Sequence, residues 1–182
     1  MRRSCCVWLA ASLVVLTACL MNSEAQAHSA SDAYLTLTVE NSAASDAAAH
    51  TIVHGQWDIA LRDLDFALKL DDNGDGKIVW GELRRHQKSV SDFAYTQILL
   101  FGDGQACRIE PTRQAVDFHA DGAYAALFFD AECERATRRL TIDYKLFFQI
   151  DPSHRGILVL RSSDKVATAV LSPANAKIDV GL

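Results

Sequence analysis

The sequence predicts a mostly β fold, an immunoglobulin-like β-sandwich interrupted by a helix–loop–helix, α+β overall. Three observations carry this. Two alternating segments open the globular part, and seven more short strand candidates follow from residue 98 onward. Between the two sets, the apolar period changes from two to that of a helix. Turn residues punctuate the strands at the spacing of sandwiches and barrels.

The elements read in order as follows. Ala33–Glu40 alternates, with Leu35, Leu37 and Val39 on one face, and is a strand. Asn41–Ala49 is small and polar, a loop. Thr51–Ala60 alternates again through Val53, Trp57 and Ile59, and Gly55 is placed to allow a bulge. Leu61, Leu64 and Leu68 then form a helical stripe ending near Leu70. A second helix is expected from about Trp80 to Tyr95, with Leu83, Val90, Phe93 and Ala94 on one face. Ile98–Phe101 and Ala106–Ile109 flank Gly102-Asp103-Gly104, a hairpin signal. Ala115–His119, Tyr124–Asp130, Arg139–Phe148, Gly156–Arg161 and Val166–Leu171 complete the expected strands, with turns at Asp121-Gly122 and Asp151-Pro152.

The chain has 182 residues, 49% hydrophobic and 23% charged, enough for one domain with a substantial core. A net charge of -5 argues against a nucleic-acid partner, which needs a basic surface. The first 27 residues read as a secretory signal. Arg2 and Arg3 precede an apolar run to Met21, and Ala25-Gln26-Ala27 is an A-x-A cleavage site that makes His28 the first mature residue. A second route stays open, because Leu16-Thr17-Ala18-Cys19 resembles a lipobox. Lipidation at Cys19 would tether a lipoprotein to a membrane surface without a spanning helix. Either route places residues 28–182 outside the cytoplasm, periplasmic or secreted. Removal of residues 1–27 leaves Cys107 and Cys133 as the remaining cysteines, and an oxidising compartment favours a disulfide between them.

The most specific signal is Asp71–Glu82, Asp-Asp-Asn-Gly-Asp-Gly-Lys-Ile-Val-Trp-Gly-Glu, which matches the EF-hand calcium loop at every fixed position. Calcium is a hard cation that takes six to eight oxygens. Asp71, Asn73 and Asp75 are spaced to offer side-chain oxygens, Lys77 a backbone carbonyl and Glu82 both carboxylate oxygens. Gly76 permits the sharp turn. Val79 has no side-chain oxygen, so a water is expected at that position. Ile78 sits where paired hands place an apolar residue, yet the sequence contains one such loop. A lone hand fits a structural or weakly regulatory ion better than a sensor.

Other segments resemble a known family. His28-Ser-Ala-Ser-Asp-Ala-Tyr-Leu-Thr-Leu, Gly55-Gln-Trp-Asp-Ile-Ala-Leu-Arg-Asp-Leu-Asp, the calcium loop with Trp80-Gly-Glu-Leu, and Leu146-Phe-Phe-Gln-Ile-Asp-Pro-Ser-His-Arg-Gly are similar to the exported N-terminal region of HupE/UreJ-type membrane proteins. Those proteins continue into transmembrane helices associated with nickel or cobalt transport, and this sequence reaches Leu182 without such a segment. The resemblance implies an extracytoplasmic domain working alone or beside an envelope membrane protein. It also implies an alternative role as a periplasmic accessory for nickel or cobalt, with His28 as an N-terminal ligand and His50 and His54 as further candidates.

Catalytic patterns are missing: there is no G-x-S-x-G, HExxH or P-loop. Ser153-His154 reads as part of a turn, and Trp57 and Trp80 as packing residues. The sequence therefore points to a non-enzymatic calcium-binding module.

Overall fold

A computed structural model of the chain describes residues 31–41, 50–163 and 165–182. The expected signal segment with Cys19, His28 and most of the expected loop Asn41–Ala49 lie outside the described residues. Among the described residues, ten strands form two sheets. The first has six strands in the order β5-β6-β2-β1-β8-β9, and the second has four in the order β10-β7-β3-β4. The strands are β1 (Asp32–Asn41), β2 (Thr51–Ala60), β3 (Ile98–Gly102), β4 (Gln105–Ala106), β5 (Arg108–His119), β6 (Gly122–Cys133), β7 (Arg139–Tyr144), β8 (Arg155–Ser162), β9 (Lys165–Leu171) and β10 (Lys177–Gly181). Three helices fall between β2 and β3: α1 (Leu61–Leu68), α2 (Trp80–Arg85) and α3 (Gln87–Tyr95).

The alternation seen in the sequence decides which face of the large sheet is covered. Leu35, Leu37, Val53, Trp57, Ile59, Leu127 and Phe129 are all at most 1% exposed. They meet Ile98, Leu100, Leu140, Ile142 and Tyr144 of the smaller sheet in one core. The ring of Trp57 lies 5.5 Å from that of Tyr144 across the layers. Leu61, Leu64, Leu83, Val90 and Ala94 extend the same core onto the helices. The insertion thus continues the second layer rather than standing apart from it.

Several expectations need correction. The helix from Trp80 to Tyr95 is broken at His86, whose φ of -93° and ψ of 4° separate α2 from α3. His86 Nε2 lies 2.7 Å from Asp72 Oδ1, so its side chain is tied to the loop, a tertiary contact that apolar spacing does not report. Gly55 makes no bulge, because the β1–β2 and β2–β6 registers run through it unbroken. It is glycine because Phe129, its partner on β6, occupies the place of a side chain. Ala106–Ile109 and Ala115–His119 are not two strands separated by a loop. Most of that stretch is one edge strand, β5, with a register shift between Pro111 and Arg113. An edge position tolerates a residue without an N–H to donate, such as proline. The strand expected over Arg139–Phe148 ends at Tyr144, where the chain turns and Phe147 takes a φ of 59°. β10 was not foreseen, and β1 and β8 pair in parallel, Ala33 with Gly156 through Val39 with Ser162.

A buried polar chain fastens this parallel pair. Ser31 Oγ donates to Asp63 Oδ2 at 2.8 Å and lies 2.7 Å from His154 Nδ1. His154 Nε2 lies 2.8 Å from the Tyr144 hydroxyl. The serine has one proton and gives it to Asp63, so Nδ1 must carry the hydrogen that reaches Ser31. Nε2 is then the acceptor for Tyr144. Every bond is satisfied with a neutral imidazole. His154 is 0% exposed, and burial pushes its pKa down to about 4.

Two predictions follow from these contacts. Gly55→Ala drives a methyl into the Phe129 ring and is expected to cost about 1–3 kcal/mol in urea unfolding. Because the folded protein holds His154 below its ordinary value of 6.5, the unfolded chain binds the extra proton between about pH 6.5 and pH 4. The histidine's contribution is intact above that window and is lost as pH falls through it, by up to about 3 kcal/mol. Burial raises Asp63, which acts with the opposite sign. His154→Gln should be less stable at pH 7 and should flatten the slope. Parallel slopes for the two proteins between pH 7 and 4.5 would refute this account.

Candidate metal centre

The acidic loop hangs between two helices whose roots are in the core. Leu61 and Leu64 bury one face of α1, and Leu83 anchors α2. α1 stops because Lys69 turns left-handed at φ 57° and returns its N–H to the Asp65 carbonyl. Asp65 Oδ1 then accepts the N–H groups of Leu70 at 2.7 Å and Asp71 at 2.9 Å, which sets the direction in which the chain enters the loop. Leu70 is fully buried, so the first ligand candidate follows directly on a core residue.

Inside the loop, the side chains fold the backbone around themselves. Asp71 Oδ1 accepts N–H groups from Gly74 at 2.8 Å and Asp75 at 3.3 Å, and Oδ2 accepts from Gly76 at 2.7 Å. Asn73 Oδ1 accepts from the Asp75 N–H, and Asp75 Oδ1 from the Lys77 N–H, both at 2.8 Å. Gly76 has a φ of 77°, the left-handed conformation for which its place in the motif requires glycine. The Gly76 N–H, followed by those of Gly74, Asp75 and Asn73, holds the Asp71 carboxyl below the usual carboxylate range.

Glu82 comes from the other side. It is 1% exposed, and its oxygens accept the Asp72 N–H at 3.2 Å and the Val79 N–H at 2.9 Å. The Val79 bond also caps the start of α2. A carboxylate this deeply buried is costly without a countercharge, and two neutral amides offset only part of that cost. Asp72 faces outward. His86 and then Arg85 hold its carboxyl below the ordinary value, and the Arg85 Nη2 lies 2.7 Å away. The loop's acids differ in their partners: Asp72 is paired to the His86 and Arg85 side chains, Asp71 and Glu82 accept from backbone amides, and Asp75 accepts from the Lys77 N–H and from the Asn73 side-chain amide at 3.2 Å. Asp71, Asn73 and Asp75 are joined through hydrogen bonds inside the loop, and Glu82 accepts from the Asp72 and Val79 amides, but the carboxylates of Asp71, Asp75 and Glu82 do not lie within 4.8 Å of one another as a group; Lys77 is exposed.

The other candidates are scattered. Cys107 and Cys133 are disulfide-bonded and clamp the entry of β5 to the end of β6. His54 pairs with Asp130, 2.6 Å from Nδ1, and lies 3.6 Å from Glu40. The Asp130 hydrogen bond raises its pKa. Sequence reasoning passed over Ser31, Asp63, Tyr144 and His154 as a set, and also Asp58, Asp117 and His119, which the sheets bring together from distant positions. Neither set has a sequence signal. Trp80 does not bury itself against the sandwich: at 52% exposed it lines a shallow apolar groove with Val79, Phe118 and Leu83.

No protein-family model matches the chain, and no curated protein matches it. Among the described residues, no helix is long and apolar enough to cross a membrane.

Asp65→Ala leaves the Leu70 and Asp71 amides without their shared acceptor. It is expected to lower stability by about 1–3 kcal/mol without added cations, measured by urea unfolding.

Proposed function

We propose that this chain is an exported, non-enzymatic domain that binds one calcium ion in the loop Asp71–Glu82. The observation that carries this reading is the buried Glu82 carboxylate, aimed from α2 into a loop whose Asp71, Asn73 and Asp75 already hold the backbone in a tight turn. Glu82 would close the shell with both oxygens, the Lys77 carbonyl would supply another, and a water would serve beside Val79. The ion would supply the positive charge that the buried acid otherwise lacks. Because both helices are rooted in the core, the ion would stiffen a preformed loop rather than open a pair of helices. The role is therefore structural or weakly regulatory, and the expected dissociation constant is ~10⁻⁴–10⁻³ M, as in extracellular modules. Export is supported by the signal-like N-terminal sequence and by the disulfide, which belongs to an oxidising compartment. A membrane protein of the envelope is the partner class that the family resemblance implies.

Calorimetric titration tests the calcium assignment. One ion per chain is expected, with Glu82→Gln weakening affinity at least about tenfold, since it removes one of the charged ligands. Absence of calcium binding, or equal affinity in Glu82→Gln, would overturn it.

A further inference from the structure

A second group of ligand-type side chains lies on the outer face of the six-stranded sheet. Asp58 projects from β2, and Asp117 and His119 from β5, with one ligand atom from each inside a 4.8 Å cluster. Strand β6 runs between them, and the register explains why they meet. Asp58 pairs with Ala126, which pairs with Ala115, so small side chains separate the two flanking strands. The acids and the imidazole can therefore converge over β6.

The group is held in place from outside. The His119 ring stacks on Tyr34 at 4.7 Å with an interplanar angle of 6°, and its other neighbour is Tyr124 at 4.3 Å. Gln56 Nε2 donates to both Asp58 oxygens, at 2.9 and 3.2 Å. Asp58 is 6% exposed, a buried acid. His119 Nε2 is 3.3 Å from Asp58 Oδ2, yet it makes no hydrogen bond and is closed off from solvent. A simple ion pair would place the N–H on the line to the carboxylate. Here a buried ring nitrogen faces two carboxylates without a bond, in a ring that two tyrosines keep from turning.

We propose that Asp58, Asp117 and His119 form a second cation site, independent of the calcium loop, for a borderline first-row divalent ion of the zinc type. The donor set makes the distinction: an imidazole nitrogen with two carboxylates suits such ions, whereas calcium takes oxygen ligands. Gln56 acts as the positioning residue for Asp58, and the tyrosines orient His119, the supports that metal-binding side chains usually need. Asp117 is the exposed member, so the ion enters from the solvent side and retains open positions there.

The test is a Zn²⁺ titration of the full chain with calcium present in large excess, so that the acidic loop is occupied. One Zn²⁺ per chain is expected. His119→Ala and Asp58→Asn should each weaken it at least about tenfold while leaving the calcium titration unchanged. Asp117→Asn lies on the surface and keeps the fold, so its weaker zinc binding decides the matter if the Asp58 or His119 variants unfold. Failure of the wild-type chain to bind Zn²⁺ would overturn the site. Binding unaltered in folded His119→Ala and in Asp117→Asn would do the same, because it would place the ion on other histidines.

Discussion

The hydrogen-bond chain Tyr144–His154–Ser31–Asp63 is the constraint on which the other arrangements rest. Its four members come from β7, the β7–β8 connection, the residue before β1, and the first turn of α1. The Arg155 N–H bonds the Ser31 carbonyl at 2.9 Å, and the parallel β1–β8 ladder begins there. A parallel pair has no hairpin to set its register. Here a satisfied polar chain in the core supplies that specification, because any slip would strand buried donors and acceptors. The Tyr144 ring fills the space over Gly156, so the same point also demands a residue without a side chain.

The chain also fixes where the acidic loop can be. Asp63 belongs to α1, so the helix entering the loop is pinned to the start of β1. From there α1 lies against the inner face of the large sheet, and Asp65 redirects the backbone into Asp71. On the far side, Gln114 of β5 bonds to Ser91 and to the Gln87 carbonyl, holding α3 on the edge strand. Tyr95 meets Phe129 edge-on at 5.8 Å, the ring that Gly55 makes room for. Most of the loop faces solvent, between two fixed ends. Cation binding at such a loop acts on a local equilibrium of the exposed residues and leaves the core untouched.

β5 carries a different chemistry on each face. Val116 and Phe118 point toward Ile78, Val79 and Trp80 beside the acidic loop, while Asp117 and His119 point the other way, toward Asp58. The alternation of a strand separates the two proposed sites with no extra structure. One is built of oxygens from a contiguous stretch of chain. The other joins Asp58 to two side chains of β5, the nearer of them, Asp117, 59 positions along the chain.

What the sequence determined by itself is what local rules encode. The period-two segments around Leu35 and Trp57, the helical stripe from Leu61, and the loop Asp71–Glu82 each carry their signal within a dozen residues. The expectation of an oxidising destination was enough to pair Cys107 with Cys133. The tertiary structure decided the rest. It set the β1–β8 pairing, the break at His86 imposed by Asp72, and the joining of two apparent strands into β5. It turned Gly55 from an apparent bulge into the seat of a phenylalanine ring. It assembled His154 with Ser31 and Asp63, and His119 with Asp58. The physical reason is the same in each case. A ligand loop made of neighbours is specified by backbone geometry, whereas a contact between residues a hundred positions apart exists only once packing has selected it.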